Sequence, residues 1–308
     1  MPHRRGARGF TLIELLVVVA TIGLLISILL PALAGARRQS KSTVCKTRLR
    51  VLGQGIALYA TQYHDKLLPS RMPKLDNHHW QVRIAGGLKY RPTFLAMMGE
   101  QVGIPPFTDP QPSKTTVDRE GEPGDQQNYA SDAYVCPEAA DWTDERNACY
   151  GYNYQFLGNA RLKDPDDVRS FKNWPRAYSL IGAPASTVAV GDSLGTAAVF
   201  GTRERLDYDN NARAVSAKGN EGFNLDPPAV DPERGEIAEQ ATSEGGPART
   251  AVDERHAGAA NILWLDGHVS GETLESLGYT SAEDGAVGLT GSNRQWSGDQ
   301  REIVWIQR

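Results

Sequence analysis

Residues Arg8 to Leu33 read RGFTLIELLVVVATIGLLISILLPAL. From Leu15 to Leu30 no residue is charged, and with the apolar residues on either side the run reaches the roughly 20 positions that a helix needs to cross a bilayer. One acid, Glu14, lies inside the run, four residues after Phe10. A carboxylate in hydrocarbon is expensive without a partner, so either this end of the helix reaches the headgroups or a positive group meets Glu14. An ordinary secretory signal has an apolar core of only about 7 to 15 residues, shorter than this one. A lipoprotein anchor is excluded, because no cysteine precedes Cys45.

Working outward, the charge of the chain divides sharply. Its 308 residues carry a formal net charge of −4. The first fifty hold Arg4, Arg5, Arg8, Arg37, Arg38, Lys41, Lys46, Arg48 and Arg50 against Glu14 alone, which leaves 24 of the 33 basic and 36 of the 37 acidic residues beyond position 50, a net of about −12. The anchor is basic and the body acidic. Basic flanks suit anionic headgroups, and a lipid bilayer is the expected first partner. An acidic body argues against nucleic acid, which needs clustered Lys and Arg to neutralise phosphates. Basic residues flank the apolar run on both sides, so the positive-inside rule does not choose an orientation.

Beyond Pro31, Cys45, Leu49, Leu52, Ile56, Tyr59 and Tyr63 recur in steps of four and three, one face of a continuing helix. A single helix from Phe10 to about His64 is expected, membrane-spanning in its first half, with Pro31 costing one hydrogen bond and Gly53 and Gly55 weakening it slightly. Its second half is expected to dock on a globular domain over residues 65 to 308. In that domain a short helix is expected from Thr93 to Gln101, ending at Gly103, and a short strand at Tyr134 and Val135. Aromatic alternation in YGYNYQF, Tyr150 to Phe156, reads as a half-buried strand. STVAVG, Ser186 to Gly191, reads as another, and EIVWIQ, Glu302 to Gln307, as a last one. The segment from about 206 to 250 is rich in Gly, Pro, Asn, Asp and Glu without periodicity, a surface excursion. The class is α+β: a long N-terminal helix packed on an antiparallel sheet.

The second informative stretch is RHAGAANILWLDGHVSG, Arg255 to Gly271. Apolar residues around Ile262 and Trp264, the turn-forming Asp266 and Gly267, then His268 and Val269 spell a β-hairpin. His256, Asp266 and His268 offer two imidazoles and a carboxylate, a set that suits a transition metal, but Asp at a hairpin tip is explained by turn chemistry alone. Asp207, Asp209, Asn210 and Asn211 form the richest oxygen cluster, without a calcium-loop pattern. No metal and no cofactor are expected.

Gly191, Asp192, Ser193 and Leu194 spell GDSL, and Asp253 to His256 spell D-x-x-H, as at the two ends of a GDSL-type esterase's catalytic set. The intervening segment is poor in core-forming residues and no G-x-N-D block accompanies it, so catalysis is not expected. Three cysteines are too few for a disulfide scaffold. Cys136 and Cys149 are candidates for one disulfide across a short loop, while Cys45 is expected to pack as a small hydrophobe.

Gly9 to Leu15, GFTLIEL, resembles the N-terminal signature of type IV prepilins and type II secretion pseudopilins at every position. His256, nine residues, then Asp266 and Gly267 resemble the H-x9-DG pattern of planctomycete-type prepilin-like proteins, as do the segments Tyr134–Cys136, Tyr150–Asn153 and Val190–Ser193. The resemblance implies that a prepilin peptidase cuts after Gly9, before the apolar core, and methylates the new terminus at Phe10. It also implies that Glu14 pairs with the terminal amine of a neighbouring subunit during assembly. The implied setting is the inner membrane, with a cytoplasmic N-terminus and a periplasmic or extracellular domain. Other pilin or pseudopilin subunits and the secretion or pilus machinery are the implied partners. A membrane-anchored binding or adhesion module that does not polymerise, and a tethered hydrolase, are the alternatives.

Overall fold

The computed structural model describes residues 11–70, 81–84, 87–90, 92–107, 131–139, 149–158, 175–193, 224–228, 252–281 and 287–302. Helix α1, Leu12–Gln62, runs 51 residues, about 75 Å at 1.5 Å per residue. Thr11 caps it in extended geometry, φ −84° and ψ 149°. Positive φ at His64 (55°) and Asp65 (66°) turns the chain out of the helix just after Tyr63. Pro31 lies within the helix, where its missing N–H leaves one carbonyl unpaired. Every residue from Thr11 to Lys41 is exposed, and burial begins at Ser42.

The sequence then delivers its one-sided stripe. Cys45, Leu49, Leu52 and Ile56 are buried, while Tyr59 and Tyr63 stack on each other at the rim with ring centroids 4.2 Å apart. After α1 come the hairpin strands β1 (Gln81–Ile84) and β2 (Gly87–Tyr90), then helix α2 (Phe94–Gln101). Thr93 stands at the N-cap of α2, and Gly103 at φ 73° follows its end. α2 buries Phe94, Leu95 and Met98 against α1.

The central sheet contains β3 (Tyr150–Tyr152), β4 (Val188–Asp192), β5 (Ala260–Trp264) and β6 (Val269–Glu272), antiparallel in the order β3-β4-β5-β6. Strands β7 (Tyr279–Ser281) and β8 (Val287–Gly291) form a separate pair. Side-chain alternation in β5, and a register shift between Val188 and Val190 in β4, sort side chains between two cores. Leu263 and Val190 point to the core shared with α1, α2, Tyr150 and Tyr152. Val188, Ile262 and Trp264 point the other way, onto Leu277, Tyr279 and Trp296. The sheet is thus covered on both faces, which explains why β3, β4 and β5 are buried throughout.

Three sequence expectations are corrected. Tyr134 is not in a strand: Ser131 accepts a hydrogen bond from the Ala133 N–H, and Asp132–Tyr134 form a 3-10 turn that buries the Tyr134 ring. The YGYNYQF strand stops at Tyr152, because the Asn153 amide donates to the Val188 and Trp296 carbonyls and the chain coils through Tyr154–Gly158. In STVAVG the strand starts only at Val188, after a 3-10 turn at Pro184–Ser186. Glu302 is in no strand, and 303–307 lie outside the described residues, as does all of 206–250 except 224–228.

Gly53 and Gly55 do more than weaken a helix. A Cβ on Gly55 would collide with the Met98 backbone carbonyl, and one on Gly53 with the Leu263 side chain, whereas Gly35 faces open space. Gly55→Ala is therefore expected to destabilise the domain by about 1–3 kcal/mol through overpacking. Gly35→Ala should cost nothing, or add up to about 1 kcal/mol from helix propensity. Urea melts of the detergent-solubilised chain, followed by tryptophan fluorescence, compare the two.

Candidate functional site

Two parts of the molecule carry chemistry. The first is the start of α1. The backbone N–H of Thr11 donates to Glu14 Oε2 at 2.8 Å, the Thr11 hydroxyl donates to the same oxygen at 2.8 Å, and the Glu14 N–H donates back to Thr11 Oγ1 at 3.3 Å. This is a capping box, in which a carboxylate also meets the positive end of the helix dipole. So within one subunit the acid of the apolar run already has donors. The carboxylate stands at the membrane end of a surface where Leu12, Leu16, Leu24, Ile28 and Leu33 are all exposed. Among the described residues α1 is the single helix long and apolar enough to cross a membrane. Gly9 and Phe10 lie outside the described residues.

The second part is a buried polar cluster between α1 and the sheet. Arg255 and His256 precede a turn in which the His256 N–H donates to the Ala259 carbonyl at 3.0 Å and the Ala259 N–H returns to the His256 carbonyl at 3.3 Å. Ala257 (φ 57°) and Gly258 (φ 85°) are its central residues, the double positive φ of a type I′ turn. The turn places His256 Nε2 3.3 Å from Asp192 Oδ2 and 3.3 Å from Cys136 Sγ. Asp192, at the end of β4, accepts from the Asn261 N–H at 2.8 Å and lies 3.6 Å from Cys45 Sγ. Cys45 also meets the Tyr150 hydroxyl at 3.3 Å. Arg255 reaches Asp253 at 2.9 Å and Asp192 at 3.8 Å, and its Nη2 donates to the Ser193 carbonyl.

Burial dominates the electrostatics here. It pushes the Asp192 carboxyl above its ordinary range, against the pull of Arg255 and of the His256 hydrogen bond. Burial also opposes a charge on His256, yet hydrogen bonds to Asp192 and Cys136 outweigh it and raise its pKa to about 9. Hydrogen bonds from Cys149 and Cys45 draw Cys136 toward thiolate, whereas burial pushes Cys149 up.

The H-x9-DG residues separate into two tasks. His256 joins the buried cluster, while Asp266 and Gly267 make the β5–β6 turn. Asp266 Oδ1 accepts from the His268 N–H at 3.1 Å and meets His268 Nδ1 at 2.6 Å, and Gly267 adopts φ 94°. Burial alone would raise the Asp266 carboxyl, but the backbone and side-chain hydrogen bonds from His268 together outweigh it and hold the carboxyl below its usual range. Asp266 and His268 therefore meet each other, while His256 faces Asp192 and Cys136 instead. Cys136 and Cys149, the candidate disulfide pair, stand here as free thiols, and the Cys136 N–H donates to Cys149 Sγ at 2.7 Å. Asp207, Asp209, Asn210 and Asn211 lie outside the described residues.

Ser193 is buried beside Val252, His256 Nδ1 has no hydrogen-bond partner, and Nε2 faces Asp192 and Cys136. Sequence reasoning missed Cys45, Asp192 and Arg255 as members of one cluster. No short-range spacing links them, and Cys45 and Asp192 stand 147 residues apart.

Residues 4–30 match the family model described as the prokaryotic N-terminal methylation motif. Over 40 residues the chain is 52% identical to the type IV wide pilus major component PilA4 of Thermus thermophilus, an alignment covering 13% of this chain and 30% of that protein. No solved structure matches the chain.

Two substitutions probe the cluster's energetics. Arg255→Met leaves Asp192 buried without its guanidinium and should destabilise the domain by about 3–5 kcal/mol. Ala257→Gly relieves the positive φ and should stabilise it by up to about 1 kcal/mol. Thermal melts of the full chain in one detergent measure both.

Proposed function

We propose that this chain, which carries the prepilin N-terminal methylation signature at residues 4–30, is a structural pilin-like subunit. It is processed after Gly9, methylated at Phe10 and assembled through α1 into a type II secretion pseudopilus or a type IV pilus-like filament. The observation that carries this reading is the exposed half of α1, every residue of which from Thr11 to Lys41 is exposed and which begins at a carboxylate. Lipid satisfies such a surface while the subunit waits in the membrane, and neighbouring helices satisfy it in a fibre. A contact that repeats without closing produces a filament.

Glu14 supports the assembly step through its position. Its carboxylate already accepts from the Thr11 N–H, one residue from the terminus that cleavage after Gly9 creates. A neighbour's amine entering there meets a preoriented acceptor in low dielectric, where an ion pair is far stronger than in water. In this account the prepilin peptidase and the inner-membrane assembly machinery are the processing partners. The acidic domain lies on the exported side.

The account predicts that Glu14→Leu leaves membrane insertion intact, because it removes a charge from an apolar helix, and abolishes incorporation into filaments. Fractionation and immunogold microscopy of cells expressing the variant beside wild type measure the two effects separately. Wild-type filament yield from Glu14→Leu contradicts the pairing.

A further inference from the structure

We infer that Cys45, Cys136, Asp192 and His256 form a structural zinc site that fastens α1 to the sheet. Their four donor atoms all lie within 4.8 Å of one another, and all four residues are buried. Each comes from a different part of the chain: α1, the segment after the Asp132–Tyr134 turn, the end of β4, and the turn before β5. Chance proximity of two such residues is common, whereas convergence of four on one point in a dry interior is not explained by packing.

The distances match the ion. Zinc bonds of about 2.3 Å to sulfur and 2.0–2.2 Å to nitrogen or oxygen, arranged tetrahedrally, separate the ligand atoms by about 3.4–3.8 Å. The observed separations are 3.6 Å for Cys45 Sγ to Asp192 Oδ1 and 3.3 Å for Cys136 Sγ to His256 Nε2, while His256 Nε2 lies 3.3 Å from the other carboxylate oxygen, Asp192 Oδ2. A small contraction or expansion of the cluster about a central cation accommodates them. Two sulfurs, one imidazole nitrogen and one carboxylate oxygen form a borderline-soft donor set that favours zinc over magnesium or calcium. All four positions come from protein and all are buried, as in structural rather than catalytic zinc sites.

The surroundings supply the supporting contacts such a site needs. The Asn261 N–H donates to Asp192 Oδ2 at 2.8 Å, and Tyr150 Oη lies 3.3 Å from Cys45 Sγ. Two thiolates and the Asp192 carboxylate bring three negative charges, of which a divalent cation offsets two; the Arg255 guanidinium, 3.8 Å from Asp192 and 2.9 Å from Asp253, lies beside the remainder. Cys149 is not among the four residues whose donor atoms converge within 4.8 Å, and its sulfur accepts from the Cys136 N–H. Binding joins four bonds to the ion and releases to solvent the protons that the two sulfurs, His256 Nε2 and the Asp192 carboxyl carry beforehand, with no redox change. The mechanical consequence follows from the place of Cys45. It lies on the first buried turn of α1 after the exposed half, so the ion ties the helix to the sheet where the helix enters the domain. The site stands whether or not the chain polymerises.

The test uses the untagged full chain purified in detergent without chelator. Elemental analysis should return about one zinc per chain, as for a closed structural site. Replacing zinc by cobalt(II) should give intense tetrahedral d–d bands and a near-ultraviolet thiolate-to-cobalt charge-transfer band. Cys136→Ser, Asp192→Asn and His256→Gln should lose most of the metal, whereas Cys149→Ser keeps it. Folding of each variant is checked by circular dichroism, and the wild-type cobalt spectrum decides the question if a variant unfolds. A folded wild-type chain that takes up neither zinc nor cobalt overturns the inference. So does a Cys45–Cys136 or Cys136–Cys149 disulfide in the native protein, or full zinc retention by a folded Asp192→Asn or His256→Gln.

Discussion

The molecule depends on one unmet demand: from Leu12 to Leu33 helix α1 presents exposed apolar side chains, with Glu14 as the one charge, and none of the described residues of the domain buries them. Each buried Leu, Ile or Val contributes about 1.5–3 kcal/mol relative to water, so such a surface does not persist in solvent. It requires lipid, other helices, or both in turn. Everything else in the fold is arranged to let that half of the helix project while the other half is held.

Holding is achieved by a change of pattern within one continuous helix. From Ser42 onward a single stripe is buried, and Gly53 and Gly55 remove side chains where Leu263 and the Met98 backbone come closest. The sheet's two covered faces make this docking rigid, since Leu263 and Val190 meet the helix while Ile262 and Trp264 anchor the far layer. Behind the first buried turns lies the polar cluster of Cys45, Asp192, Arg255 and His256. A buried carboxylate is tolerated there because charged and hydrogen-bonding partners surround it. The same interior would otherwise neutralise or expel it.

Much of this was legible in the sequence, for a physical reason. The long apolar run, the stripe from Cys45 to Ile56, the α2 helix and the Asp266–Gly267 turn are local patterns, set by spacing and by backbone conformations that few residues adopt. Glu14 was legible as costly, although its local partner, the Thr11 cap, was not foreseen. What failed was non-local. The Tyr154 segment departs from extended structure because Asn153 bonds to Val188 and Trp296, contacts that no alternation pattern encodes, whereas at Tyr134 a local turn capped by Ser131 overrides the strand reading. Likewise the H-x9-DG residues looked like one motif, whereas their two ends serve different places, and the cluster at His256 draws on residues as far away as Cys45. Such a convergence is visible only once the chain is folded.

The most direct measurement is intact-mass and tandem mass spectrometry of the native chain recovered from membranes. Processing after Gly9 predicts a mature terminus at Phe10 carrying one methyl group on its amine. A chain that retains Met1 to Gly9, or that is cut behind the apolar run and so loses α1, contradicts the proposal that this helix is an assembly element.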